Sequence, residues 1–124
     1  MLGWMISFYR LPTGQSPETI DASRETPLAR WETGFDGIEV IDELVKAGNA
    51  TQMRWGGYPN LYSMTAAYAL PMIASGPPEY AGTTIFGDDY VMPPGWKGSA
   101  QINQDRIAAC SAHEIIVVTA WDLS

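Results

Sequence analysis

The C-terminal segment "EIIVVTAW", from Glu114 to Trp121, constrains the fold more than any other part of this sequence. Its four consecutive aliphatic β-branched residues, Ile115–Val118, are typical of a buried strand. A second apolar and aromatic segment, Gly3–Arg10, stops at the turn formers "LPTGQSP". The sequence therefore predicts a strand near each end of the chain.

The best-supported helix spans Asp36 to Ala47. Asp36 can cap its first turn, Glu39 follows three residues later as in a capping box, and Gly48 is placed to end it. Asp42 and Lys46 form a favourable i,i+4 pair on its polar side. The apolar residues recur at helical spacing on one side: Ile38, Ile41, Leu44 and Val45.

Two weaker helices are expected on either side of this one. A short helix opened by Thr26 and Pro27 would carry Leu28, Ala29 and Trp31. A later helix over Ser99–Ala112 would contain Ile102, Ile107 and Cys110.

The stretch "MRWGGYPNLYSM" predicts a two-stranded ribbon. If Trp55 pairs with Tyr62 and Met53 with Met64, both apolar sets lie on one side, because strand side chains alternate. The segment Gly56–Leu61 would then form the turn. Residues 61–70 fit a helix nearly as well, and that alternative stays open.

Residues 71–98 are rich in proline and glycine and are expected to be mostly loop, since these residues disfavour regular elements. Only "TTIFGDDYVM" within this region has the composition of strands. A loop region this long in a compact domain is usually functional or wrongly assigned.

Read in order, the elements are strand, helix, strand, strand, helix and strand. This order resembles the split βαβ, ferredoxin-like arrangement. The expected fold is one α+β domain over residues 1–124, with a mostly antiparallel sheet, two helices on one face and the insertion at 71–98. The resemblance implies that the first and last strands lie inside the sheet. A length of 124 residues and a 46% hydrophobic composition fit one globular domain.

The charge distribution restricts the partners of the chain. The net charge is −7, and eight of the fourteen acids lie between Glu18 and Glu43, where only Arg24 and Arg30 oppose them. A field of this sign repels phosphate backbones, so nucleic acids and anionic membranes are not expected as partners. A small molecule or a basic protein is expected instead. The many aromatics and the low charged fraction of 17% favour a homo-oligomer, expected to be a dimer through the open sheet face.

Several kinds of chemistry can be set aside. No G-x-G-x-x-G or G-x-x-x-x-G-K-[ST] phosphate loop occurs. Cys110 and His113 are the only cysteine and histidine, and a structural zinc site needs four ligands, so neither a metal nor another cofactor is predicted. The apolar N-terminal segment is short and lacks the features of a signal peptide, and a cytoplasmic location is expected.

Aromatic residues near the turn and in the loop region are the candidate ligand-binding residues. Large aromatics in loops favour interfaces and pockets, and together with carboxylates their ring faces can hold a cation. The predicted ligand-binding residues are Trp55, Tyr58, Tyr62, Tyr80, Tyr90 and Trp96.

The sequence thus favours a small acidic, non-catalytic binding domain for a small apolar or cationic ligand or for a basic protein, as an inhibitor or immunity-type protein. The alternative is a small dimeric α+β enzyme that uses a buried Asp or His for proton transfer in a pocket between helix and sheet. Its candidate catalytic residues are Asp88, Asp89 and His113.

Overall fold

The computed structural model describes residues 3–11, 14, 16, 26–54, 59–76, 84–86, 90–92 and 99–122. These residues form a small α+β domain. The strands and helices follow one another as β1 (Trp4–Arg10), β2 (Ala29–Thr33), α1 (Phe35–Lys46), β3 (Ala50–Arg54), β4 (Asn60–Thr65), α2 (Ala66–Ser75), β5 (Thr84–Phe86), β6 (Tyr90–Met92), β7 (Ser99–Ile102), α3 (Gln104–Ala108) and β8 (Ile115–Asp122).

Six of the described strands form one sheet in the order β3-β4-β8-β1-β2-β7, and β5 and β6 form a separate two-stranded sheet. Every neighbouring pair in the large sheet is antiparallel. The apolar strands β1 and β8 lie inside this sheet, as expected, and they are next to each other.

The strand order differs from the expected ferredoxin-like arrangement. In a ferredoxin-like sheet, which is also antiparallel, the first strand pairs with the central hairpin, whereas here β8 lies between β1 and the β3–β4 pair. The cause is β2, which pairs with β1 along one side while β8 takes the other. β7 then extends the sheet beyond β2. The chain is therefore α+β as predicted, with a different sheet.

The main core lies between one face of the sheet and helices α1 and α2. Trp31 packs edge-on against Phe8, with ring centroids 5.0 Å apart and an interplanar angle of 67°. Such edge-to-face pairs add about 0.5–1.5 kcal/mol to the burial of the rings. The helices contribute Ile38, Ile41, Ala66, Ala69 and Ile73, and the strands contribute Ile6, Phe8, Ala29, Trp31, Tyr62, Met64, Ile116, Val118 and Ala120.

Helix α1 ends as predicted but begins earlier than predicted. Gly48, at φ +81°, follows the last turn, and its N–H bonds to the Val45 carbonyl while the Asn49 N–H bonds to that of Leu44. This is a Schellman ending, which needs a left-handed residue and so favours glycine. At the other end the N-cap is Gly34, so the predicted helix start with Asp36 as the cap is wrong.

The predicted short helix after Pro27 is a strand instead. β2 alternates buried and more exposed residues along "ARWET", and it is held by β1 on one side and β7 on the other. Pairing with two neighbouring strands stabilises the extended form of this segment, whose composition permits either a helix or a strand.

The predicted helix over Ser99–Ala112 is mostly wrong as well. Its first four residues form β7, and only Gln104–Ala108 is helical. The side chain of Asn103 accepts a hydrogen bond from the Arg106 N–H at 3.3 Å, and this cap begins the helix after the strand.

Both alternatives for residues 61–70 hold in part, because β4 ends at Thr65 and α2 begins at Ala66. The helix continues through Pro71 to Ser75, so the expected loop region begins several residues too early. Within it, the predicted strand material at "TTIFGDDYVM" includes β5 and β6, which pair antiparallel.

The predicted hairpin between β3 and β4 exists in a different register. Tyr62 faces Gln52 and Met64 faces Ala50, with a β-bulge between Gln52 and Arg54. The partners of Tyr62 and Met64 are thus shifted by three residues from the predicted Trp55 and Met53. The bulge adds one unpaired residue near the turn, which a simple alternation of side chains does not predict.

Candidate functional site

A pocket of about 390 Å³ opens between α1 and the sheet, and we call it the Asp42 pocket. Its walls come from four elements, which bring polar, aromatic and aliphatic side chains together. The lining residues are Trp4 of β1, Ile38, Asp42, Val45 and Lys46 of α1, Gln52 of β3, and Asn60 and Tyr62 of β4.

Helical periodicity and strand pairing bring these residues together. Ile38, Asp42 and Val45 recur at the spacing of one helix face, so α1 turns them towards the sheet together. On the sheet, Gln52 and Tyr62 are directly opposite each other across β3 and β4. Side chains opposite each other on neighbouring strands lie on the same face, which here is the face that α1 covers.

A hydrogen-bond chain links β4 to α1 at the base of the pocket. The Tyr62 hydroxyl donates to Asp42 Oδ1 at 3.3 Å, and Asn60 Nδ2 donates to the Tyr62 oxygen at 3.3 Å. The Tyr62 side chain is fully buried, at 0% exposed, while Asp42 is partly buried. Tyr62 therefore positions the Asp42 carboxylate, and Asp42 is the group a ligand in the pocket would meet.

The environment of Tyr62 keeps its hydroxyl protonated. Burial raises the pKa of Tyr62 to about 12, and the negative charge of Asp42 adds to this rise. A protonated phenol remains a hydrogen-bond donor at neutral pH. The Asp42 carboxylate consequently keeps its donor over the physiological range.

The two charged residues of the pocket do not neutralise each other. Asp42 and Lys46 are one turn apart on α1, and their i,i+4 spacing predicted an ion pair. The ion pair within the part of the chain that the structure describes joins Arg10 and Glu114, and none joins Asp42 to Lys46. Both charges are thus left to face the pocket and the solvent.

A second hollow, of about 660 Å³, lies on the other side of α1, between it and α2. We call it the α1–α2 groove. Its walls are mainly apolar, with Glu43 as its one charged residue, and Tyr68 is 44% exposed beside it. The lining residues are Val40, Glu43, Leu44, Ala47, Tyr68, Pro71, Met72, Ser75 and Gly76.

The turn before β8 holds the lone cysteine and histidine. Burial raises the pKa of Cys110 to about 11, so the thiol stays protonated rather than becoming a nucleophile. Glu114 accepts from Arg10 Nε at 3.1 Å and from the Ser111 N–H at 2.6 Å, and these bonds lower the pKa of its carboxyl. His113 is exposed. In the described part of the chain, no three His, Cys, Asp or Glu residues are grouped as metal ligands.

The structure describes few of the predicted site residues. Of the predicted ligand-binding aromatics, Tyr62 lies at the base of the Asp42 pocket, and Tyr90 lies in β6. Of the alternative catalytic residues, only His113 is described, and it is exposed on the turn before β8. The others lie outside the described residues: Trp55, Tyr58, Tyr80, Trp96, Asp88 and Asp89.

Sequence reasoning missed three important members of the pocket: Trp4, Asp42 and Lys46. Asp42 and Lys46 were assigned to the solvent-facing side of α1, although Asp42 lies four residues after Ile38 and three before Val45. That spacing places it at the border of the apolar stripe, and it is the signal that could have indicated a carboxylate turned towards the sheet.

No family model, no curated protein and no solved structure matches this chain. Within the described ranges, none of the helices has the length and apolar character needed to cross a membrane.

Proposed function

We propose that this chain is a small, acidic, non-catalytic binding domain that takes a small cationic ligand with an apolar body in the Asp42 pocket. The observation that carries this proposal is the hydrogen bond between Tyr62 and Asp42, which holds a carboxylate at a pocket between helix and sheet. A carboxylate with a fixed direction and reduced hydration binds an ammonium group more strongly than a freely solvated one.

The rest of the pocket matches an apolar body attached to that cation. Trp4 offers an aromatic ring, and Ile38 and Val45 offer aliphatic surface. A cation near a Trp ring gains about 0.5–2 kcal/mol, depending on how far it is desolvated. The pocket volume of about 390 Å³ also falls in the range of small-molecule sites, which is roughly 300–1,000 Å³.

Calorimetric titration with two matched probes tests this proposal. Phenethylammonium carries the charge, and phenethyl alcohol has the same body without it. We expect the cation to bind more tightly than the alcohol. Asp42→Asn should lower the affinity for the cation about tenfold or more, which corresponds to one charge-assisted hydrogen bond.

Glu43→Gln is the matched control, because it removes one negative charge from the adjacent position of α1, where the side chain lines the α1–α2 groove. It should leave the affinity nearly unchanged. Equal weakening by the two substitutions would show that only the overall charge matters, and would contradict a site at Asp42.

A basic protein partner is the second candidate function, favoured by Glu39 and Glu43. Both are exposed, one turn apart on α1, and neither belongs to an ion pair of the described residues. Such a pair can meet a basic surface and speed its association. In this case complex formation with basic proteins should weaken as salt rises, and Glu39→Gln together with Glu43→Gln should reduce it. Binding without salt dependence would contradict it.

The enzymatic alternative stays a prediction. Of its three candidate groups the structure describes His113, which is exposed rather than buried in a pocket.

Self-association through the edge strand β7 also belongs to the proposal. All four β7 residues are exposed and none is charged, whereas the opposite edge strand, β3, carries Arg54 and a bulge. Charges and bulges protect a sheet edge from pairing with another chain. A dimer through the sheet face opposite α1 and α2 is less favoured, because the centre of that face, including Val117 and Thr119, is already buried.

A second copy pairing along β7 would bring the half-exposed Ile102 to the contact. Light scattering during gel filtration should therefore show a dimer that Ile102→Lys dissociates. Ile115→Lys is the control, because Ile115 is similarly exposed at the start of β8, away from this edge. A monomer at all concentrations would contradict the proposal.

A further inference from the structure

We infer that the ligand of the Asp42 pocket is a zwitterion, whose ammonium group meets Asp42 and whose carboxylate meets Lys46. This inference rests on the proposed function and specifies the class of its ligand. It starts from the charges of the lining residues, which are one carboxylate and one ammonium group.

The two charges are arranged to accept a ligand that has both signs. Asp42 and Lys46 lie four residues apart on α1, which separates their Cα atoms by about 6 Å along the helix axis. They form no ion pair with each other among the residues that the structure describes. A molecule with neighbouring ammonium and carboxylate groups can therefore contact both side chains at once.

The hydrogen bonds of the pocket give the two charges different roles. Asp42 accepts from the buried Tyr62 hydroxyl, so its position is restrained. Lys46 is exposed, lies in the last turn of α1, and has a flexible side chain. Asp42 therefore provides the specific contact, and Lys46 closes over the ligand from the solvent side.

The neutral lining favours a zwitterion with an apolar side chain. Trp4, Ile38 and Val45 provide apolar contacts, and the Gln52 amide is a further hydrogen-bonding group on the sheet side. Amino acids with aliphatic or aromatic side chains combine these features.

A probe series with one common body tests the inference by calorimetry. Phenylalanine carries both charges, phenethylammonium only the positive one, and hydrocinnamate only the negative one. We expect phenylalanine to bind roughly threefold to fivefold more tightly than phenethylammonium, since an exposed ion pair contributes at most about 1 kcal/mol. Hydrocinnamate should bind most weakly, because Asp42 repels it.

Substitutions then separate this inference from the proposed function. Lys46→Gln should abolish the advantage of phenylalanine over phenethylammonium and leave phenethylammonium binding no weaker. Asp42→Asn should weaken the binding of both probes. Arg106→Gln, at an exposed position of α3, removes the same charge elsewhere and should change neither.

Each alternative outcome has one meaning. If phenethylammonium binds in an Asp42-dependent way but phenylalanine gains nothing, or its gain survives Lys46→Gln, the zwitterion inference is wrong and the proposed function stands. If no probe binds in an Asp42-dependent way, both are wrong.

Discussion

The Tyr62 hydroxyl donates to Asp42 Oδ1 at 3.3 Å and thereby joins strand β4 to helix α1 at the base of a pocket. Asn60, two residues earlier on β4, donates to the same hydroxyl, so the tyrosine oxygen both accepts and donates. These two hydrogen bonds restrain a carboxylate that would otherwise be free to turn into solvent. Stability and ligand binding should therefore both depend on the one hydroxyl group.

Tyr62→Phe removes that hydroxyl and keeps the ring in the core. We expect it to lower the free energy of unfolding by about 1 kcal/mol, the usual net contribution of one hydrogen bond. Urea unfolding followed by tryptophan fluorescence measures the change. Tyr68→Phe is the control, because Tyr68 is 44% exposed on α2, and its hydroxyl should contribute almost nothing.

A double-mutant cycle identifies the partner of the hydroxyl. Tyr62→Phe should cost clearly less in an Asp42→Asn background, because the pair is already weakened there. Additive costs would show that the two side chains do not interact.

The raised pKa of Tyr62 predicts a loss of stability at alkaline pH. The phenol titrates near 12 in the folded protein and near its ordinary value of 10.0 in the unfolded chain. The folded state thus favours the protonated form, so the stabilisation is complete below about pH 10 and is lost as the pH rises towards 12. Comparison of unfolding midpoints of the wild type and Tyr62→Phe across this range isolates the effect.

The gap in stability between the two proteins should narrow between pH 10 and 12, the window set by the two pKa values. A constant gap would mean that Tyr62 titrates alike in the folded and unfolded states.

Gly37 allows α1 to approach β2 closely. A Cβ atom built at Gly37 would lie 2.1 Å from Thr33 Cγ2 and 2.6 Å from Thr33 Oγ1. Alanine normally improves a helix by about 0.5–1 kcal/mol relative to glycine. Here we expect Gly37→Ala to destabilise the protein by about 2 kcal/mol, because the overlap forces the helix away from the sheet.

Thr33→Ser removes the closest atom, Cγ2, and should recover part of that loss in the double variant. Stabilisation by Gly37→Ala alone would contradict the close packing of α1 on Thr33. Thermal and chemical unfolding of the four proteins in this cycle provide the measurement.

The Thr33 hydroxyl predicts that a different substitution, at Thr33 itself, stabilises the protein. Its oxygen is buried and has no hydrogen-bond partner among the described residues. Thr33→Val replaces the hydroxyl with a methyl group of similar shape, so we expect stabilisation of about 1 kcal/mol. Unfolding in urea measures it, and a loss of stability would show that the hydroxyl does have a partner.

Local sequence signals predicted the strands and the helix that carry the strongest patterns. The aliphatic run of β8 and the apolar stripe of α1 each admit one interpretation, and Gly48 ends α1 as expected. The segment "ARWET" shows the limit, since its alternation was present in the sequence but Pro27 favoured a helix start. Its extended form depends on β1 and β7, which lie far from it in sequence.

The candidate site was less predictable than the fold. Tyr62 was identified for its aromatic ring, and the structure shows that its hydroxyl carries the interaction. Asp42 was placed with Lys46 on the polar side of α1, opposite the apolar stripe, and only the path of the sheet beneath the helix decides which acid is covered. The register of β3 against β4, which places Gln52 opposite Tyr62, includes a bulge that no residue pattern predicts.

Amide chemical-shift mapping during a titration with phenethylammonium tests the central claim most directly, because it locates the ligand on the protein. We predict that the shifted amides cluster around Asp42, Gln52 and Tyr62, and that Asp42→Asn removes these shifts while Glu43→Gln preserves them. Shifts centred on Val40, Tyr68 and Met72 would place the ligand in the α1–α2 groove and would contradict a binding site at the Asp42 pocket.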